Sequence, residues 1–209
     1  MNKPQNICLL GVDGSGKTAL ATAYLKRLNK TGEPAVHVWS RYRNYLSKPF
    51  LGVMRLTGHN RKEMIDGVKI GFHDFSENRF IAYSFLMFQW LDQVIDIVYR
   101  FRRRRGNIVC DRCVIDTLVD LCVDTGMDGY IFGRYGKSLI TLMPKGTVYF
   151  IVNRNKSLVF NSRPDVRADK NYDRRIKLYS RAAKIFGLIF LDNDGSIEYS
   201  IEQIVKQVD

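Results

Sequence analysis

The 209-residue chain has no uninterrupted apolar run near the roughly 18 residues that a bilayer span needs, so no membrane-spanning segment is expected. It opens on polar Met1-Asn-Lys-Pro-Gln5, and the apolar stretch behind it, Ile7 to Leu10, is too short for the core of a secretory signal. A cytoplasmic location is expected. Cysteine is scarce: Cys8, Cys110, Cys113 and Cys122 do not make a secreted disulfide framework in a chain this long. Cys110-Asp-Arg-Cys113 has C-x-x-C spacing, but no second pair and no histidine at a matching distance accompanies it, which argues against zinc. His37, His59 and His73 have no evident partners and read as structural or exposed. Acidic residues are in deficit, 21 against 33 Lys and Arg, for a net charge of +12. That favours anionic partners, and nucleotides, nucleic acid and acidic surfaces all qualify. Neither an internal repeat nor a linker composition is present, so one domain is expected over residues 1–209.

What is present centres on Gly11-Val-Asp13-Gly14-Ser15-Gly16-Lys17-Thr18. The run fits G-x-x-x-x-G-K-[ST], the phosphate-binding loop. Asn6 to Leu10 ahead of it reads as a buried strand, and Thr18 to Asn29 behind it as a helix. A strand–loop–helix directs several backbone N–H groups and the positive end of a helix at one anion. Glycine lets the backbone approach phosphate with no side chain between. In such a loop Lys17 reaches the terminal phosphates and the Thr18 hydroxyl ligates Mg²⁺.

Ala35 to Trp39 reads as a second strand, which makes a βαβ unit and implies a parallel sheet. Ligands of such sheets sit beyond the carboxyl ends of the strands, where Arg41 and Arg43 would meet an anion. Residues 41–73 are irregular and basic, and are expected to form short helices and a mobile flap. Phe75 to Arg105 reads as one long core helix or two joined ones, ending in the cationic run Arg100 to Arg105. Such a run suits a helix C-terminus and leaves nucleic-acid contact as an alternative. Asn107 to Cys110 is the third strand, with Asp111-Arg112 at its carboxyl end, and Thr147 to Val152 is the fourth. Residues 153–171 form a basic segment able to close over phosphates as a lid. Helices over Val114 to Asp124, Tyr172 to Phe186 and Ser196 to Val208 and a strand at Leu188 to Leu191 complete the chain.

The loop with its internal Asp13, the Asp111-Arg112 pair, the basic lid, the fifth strand and Leu191-Asp-Asn-Asp-Gly-Ser-Ile-Glu198 together resemble the thymidylate kinase family of nucleoside monophosphate kinases. The resemblance implies an α/β P-loop NTPase fold, with a five-stranded parallel sheet flanked by helices on both faces. It also implies ATP with Mg²⁺ as donor, dTMP as acceptor and a homodimer. By this resemblance Gly11, Gly14, Ser15, Gly16, Lys17 and Thr18 hold the donor phosphates, and Asn193, Gly195 and Ser196 lie beside adenine. Asp13 contacts the acceptor's sugar hydroxyl and orients phosphate-binding groups. Thr18 and Asp111 serve the metal, and Arg41 and Arg112 hold the acceptor phosphate. The loop has no basic residue before Lys17, so the catalytic cation is expected from the lid, with Arg163 and Arg167 the candidates. Asp116 and Asp120 stand where the family tends to have Ser and Tyr, on the acceptor side, and two acids there are odd for a neutral thymine. A same-fold kinase for another nucleotide or a phosphorylated sugar is therefore one alternative. A non-catalytic nucleotide-binding protein with a basic face for nucleic acid is the other.

Overall fold

The structure, a computed structural model, describes residues 6–41, 44–65, 68–73, 75–103 and 106–208. Five strands, β1 (Asn6–Leu10), β2 (Ala35–Trp39), β5 (Asn107–Asp111), β6 (Thr147–Asn153) and β7 (Ile189–Asp192), form one parallel sheet in the order β2-β5-β1-β6-β7. All five lie where the sequence predicts strands. Every residue of β1 is buried, as a central strand covered on both faces requires. Side chains alternate between the faces. Cys8, Leu10, Val38, Ile108, Cys110 and Ile151 join one core, and Ile7, Leu9, Val109, Phe150 and Val152 the other.

The second core lies under α1 (Lys17–Lys30) and α9 (Ile197–Val208). The first is covered by α2 (Ser47–Leu56), α3 (Arg79–Ile97), α4 (Val114–Thr125) and, beyond the single turn α5 (Asp128–Tyr130), by α6 (Gly136–Ile140). Two elements follow β6, the short α7 (Lys156–Ser162) and a 3₁₀ turn (Pro164–Ala168). The long α8 (Tyr172–Phe186) then packs on α4. Gly126 and Gly187 end α4 and α8 in the left-handed conformation, the usual helix stop.

One expectation is corrected. Residues 44–73 are not a run of short helices. They comprise α2 and an antiparallel hairpin of β3 (Asn60–Ile65) and β4 (Val68–His73), with Ile65 facing Val68. The dipeptide Asp66-Gly67 between them is the sequence signal for such a turn; it lies outside the described residues, as do Arg43, Arg104 and Arg105. Arg79–Arg102, α3 plus a π-turn, is long and apolar enough by composition to cross a bilayer. One of its faces is instead built into the core by Ala82, Phe85, Leu86 and Ile97. The same helix buries Asp92, which accepts hydrogen bonds from the backbone of Tyr45 (3.1 Å), Leu46 (2.7 Å) and Ser47 (3.1 Å) and from the Ser47 hydroxyl (2.6 Å). A carboxylate at the start of α2 satisfies its free N–H groups and suits its dipole.

Candidate functional site

The carboxyl ends of β1, β5 and β6 converge on the loop Gly11–Thr18. Gly11 and Gly16 take φ of 134° and 96°. A side chain at Gly16 would stand 2.3 Å from the Asn193 amide nitrogen, so only glycine lets the loop pass beneath the turn after β7. That amide donates to the Ser15 carbonyl at 2.7 Å and pins the loop from the far end of the chain. Helix α1 starts directly behind Gly16, with no side-chain cap and no acid in its first turn. Its positive end is left for an anion.

Lys17 is 5% exposed and donates to the Val12 carbonyl at 2.6 Å and to Ser15 Oγ at 3.3 Å. Burial, together with the nearby Arg112 cation, lowers its pKa to about 8 against the pull of Asp116, Asp13 and Asp111. The Thr18 hydroxyl donates to Asp111 Oδ2 at 2.5 Å. The other Asp111 oxygen, Oδ1, is buried and has no hydrogen-bond partner. A hydroxyl beside a carboxylate with a bare oxygen is a hard donor set suited to Mg²⁺.

Beside this pair, Arg112 holds φ of 68°, the one left-handed non-glycine among the described residues. Such backbone costs about 1–3 kcal/mol and persists only where its surroundings impose it. Here its N–H donates to the Leu9 carbonyl at 2.9 Å, and its guanidinium pairs with Asp13 and, at 3.4 Å, with Asp116. Arg41 reaches Asp13 from β2 at 3.4 Å. Burial opposes ionisation of Asp13, but Arg112, Arg41 and Lys17 together hold its carboxyl below the usual range. Two arginines are thus tethered to one acid, with Lys17 nearby, in a cleft of about 490 Å³ whose lining includes Lys17, Thr18, Asp111 and Arg163.

Two solved structures share this architecture. Thymidylate kinase from Ehrlichia chaffeensis aligns over 98% of this chain and 98% of its own, with a TM-score of 0.57 and 15% identity. The YorR protein of Bacillus subtilis, solved with phosphorylated GDP, aligns over 98% of this chain and 95% of its own, with a TM-score of 0.53 and 15% identity. The fold is thymidylate-kinase-like. At this identity the likeness speaks for the fold alone. No family model matches the sequence, and no curated protein does.

The fold brings Asp13, Lys17, Thr18, Arg41, Asp111, Arg112 and Arg163 to one cleft. Other residues singled out in the sequence go elsewhere. Asp116 is 1% exposed and is not among the residues lining the cleft, although it pairs with Arg112, which is. It accepts from Gly11 N (3.3 Å), Cys113 N (3.0 Å) and the Tyr179 hydroxyl (2.7 Å) and pairs with Arg112. It is an internal hub joining β1, α4 and α8. Burial raises its pKa although Arg112 and Lys17 oppose this. Asp120 pairs with Arg175 of α8, which also reaches Asp169 at 3.1 Å. Both acids were expected on the acceptor side; helix α4 turns both toward α8 instead.

Arg167 is exposed and lies 5.9 Å from the Phe160 ring centroid, outside the cleft. Arg163 lines the cleft, but its guanidinium is bonded to Asp165 at 2.9 and 2.7 Å. Gly195 and Ser196 stand at the start of α9, where Ser196 Oγ accepts from Tyr199 N at 3.2 Å. Asn193 touches the loop directly. In the cationic run, Arg100 pairs with Asp96 at 2.7 Å and also donates to the Trp39 carbonyl, Arg102 donates to the Leu142 carbonyl at 3.0 Å, and Arg103 lies over Tyr99. The four cysteines are buried free thiols. Burial pushes Cys110 up to about 11, which leaves it unreactive at neutral pH.

Proposed function

We propose that the chain is an ATP- and Mg²⁺-dependent nucleoside monophosphate kinase of P-loop NTPase fold, with dTMP as acceptor. The observation that carries this reading is the Thr18–Asp111 pair with its bare buried oxygen, set beside Lys17 and a ring of arginines. Phosphoryl transfer spreads charge over equatorial oxygens, and catalysis is largely positioning plus electrostatic clamping. The loop backbone and the start of α1 cradle the donor phosphates. Lys17 swings from the Val12 carbonyl to the terminal phosphate, whose negative charge favours the protonated amine. Thr18 and Asp111 would hold Mg²⁺, which when bound would supply positive charge against that developing on the phosphates. Arg112 and Arg41, both tethered to Asp13, hold the acceptor phosphate. One of its oxygens attacks the terminal phosphorus in line, the bond to ADP breaks, and ADP leaves. Arg163 joins from the lid once it exchanges Asp165 for phosphate.

The objection to dTMP was two acids at the acceptor, and neither Asp116 nor Asp120 lines the cleft. That Arg100, Arg102 and Arg103 have partners within the fold favours the kinase reading over the nucleic-acid alternative. Measuring ADP release over a panel of dTMP, other nucleoside monophosphates and sugar phosphates tests the reading. Release with dTMP alone supports it, and release with a sugar phosphate alone replaces the acceptor.

The reading includes a homodimer in the cytoplasm. Phe80, Met87, Leu91, Ile95 and Val98 form an exposed apolar stripe along α3. Two copies related by a two-fold axis cross it antiparallel.

A further inference from the structure

Five basic side chains line the cleft: Lys17, Arg41, Arg112, Arg154 and Arg163. Four already have partners within the fold. Lys17 donates to Val12, Arg41 and Arg112 pair with Asp13, and Arg163 pairs with Asp165. Arg154 is different. Its Nε is buried and has no hydrogen-bond partner, and among the described residues no carboxylate pairs with it. A buried donor left unmade costs about 1–3 kcal/mol, and more when charged. A fold retains such a group where a ligand completes it.

The position of Arg154 is set by rigid neighbours. It follows β6, which pairs with β1 at Leu10–Ile151, so it stands beside the loop Gly11–Thr18. The residues on either side of it are tied to the turn after β7. Asn193 N donates to the Asn153 carbonyl at 2.9 Å, and Asn155 N donates to Asp194 at 2.6 Å. The Asn155 side chain also caps α7. Arg163 lies one helix further on, exposed and bonded to an exposed acid, and must give up that bond to act. A cation already fixed and unpaired needs no such reorganisation, which is what electrostatic stabilisation of a phosphate favours.

We propose that Arg154 binds the terminal phosphates of the donor and is the fixed arginine of the transfer step, ahead of Arg163 and Arg167. The inference rests on the reading of the cleft as a phosphate site. The Arg154 guanidinium, which lines the cleft, offers its Nη groups to phosphate oxygens with a planar geometry that lysine cannot reproduce.

The test measures binding of inorganic tripolyphosphate with Mg²⁺ by calorimetry, using the full chain, Arg154→Ala, Arg154→Lys and the surface control Lys206→Ala. Arg154→Ala is expected to weaken binding roughly 10- to 100-fold, in line with loss of charge-assisted bonds. Arg154→Lys should fall between, Lys206→Ala should match wild type, and Arg154→Ala, freed of the unpaired buried donor, should melt no lower than wild type without ligand. An affinity for Arg154→Ala equal to that of wild type or of Lys206→Ala overturns the proposal. Should Arg154→Ala not fold, an affinity of Arg154→Lys equal to wild type does so. Wild type that binds no tripolyphosphate overturns both this proposal and the phosphate-site reading. A loss confined to Arg154 variants, in a protein that transfers phosphate to no acceptor, sustains the site and rejects only the kinase reading.

Discussion

Replacing Asp116 by alanine removes the carboxylate on which three segments close. Four groups lose a partner: Gly11 N, Cys113 N, the Tyr179 hydroxyl and the Arg112 guanidinium. The neutral bonds are each worth about 1 kcal/mol net. Arg112, 8% exposed, keeps Asp13 but loses its buried counter-charge. Breaking a buried ion pair on one side costs about 3–5 kcal/mol. The losses share one site and do not add fully, so a destabilisation of about 4–6 kcal/mol is expected. In a chain of this size that is a drop of roughly 10–20 °C in melting temperature. Urea denaturation of Asp116→Ala and Asp116→Asn against wild type measures it, with asparagine the milder. The same geometry predicts that Asp116→Ser with Asp120→Tyr does not improve kcat/KM for dTMP relative to other acceptors. A variant within about 1 kcal/mol of wild-type stability that shifts acceptor preference would refute the assignment and return Asp116 to the acceptor pocket.

Other perturbations follow from the same contacts. Lys17 has a folded pKa of about 8, below the 10.5 of the free group. Between those values the unfolded chain holds a proton that the folded one has released, so stability from this group rises with pH. The stability of wild type minus that of Lys17→Met should climb by up to roughly 3 kcal/mol across this window; a flat difference in pH-stepped urea melts contradicts the burial. Gly16→Ala places a methyl against the Asn193 amide at a φ that alanine avoids, and should abolish detectable nucleotide binding by calorimetry; wild-type affinity would mean the loop does not pass under Asn193. Met87→Glu with Leu91→Glu should turn a dimer into a monomer in sedimentation velocity, and an unchanged dimer would place the interface elsewhere.

The parts legible in the sequence are those whose geometry is local. The loop Gly11–Thr18 is contiguous, and its glycine spacing states its backbone shape. The strands are short apolar runs bounded by turn residues, and Asp111-Arg112 follows one of them directly. What was not legible depends on partners far along the chain. Asp116 looks like an acid in the first turn of a helix; Tyr179, 63 residues later, and Gly11, 105 residues earlier, make it an internal hub. Asp92 reads as one polar residue in an apolar helix, and its use as the cap of α2 needs the packing of α3 on α2. Arg163 and Arg154 are two arginines in one basic stretch. Only the structure separates the one bonded to Asp165 from the one whose Nε is buried and unpaired. The hairpin β3–β4 was missed for another reason: scattered glycines masked the single informative pair, Asp66-Gly67.

The central claim is phosphoryl transfer from a triphosphate held at Gly11–Thr18. The most direct measurement is phosphorus NMR of MgATP and dTMP incubated with wild type, Lys17→Ala and Asp111→Ala. The account predicts dTDP and ADP in equal amounts with wild type, and turnover lower by about 10²-fold or more in each variant. Equal product formation by Lys17→Ala, or ATP consumed by wild type to free phosphate with no phosphorylated acceptor from any of the panel, would contradict it.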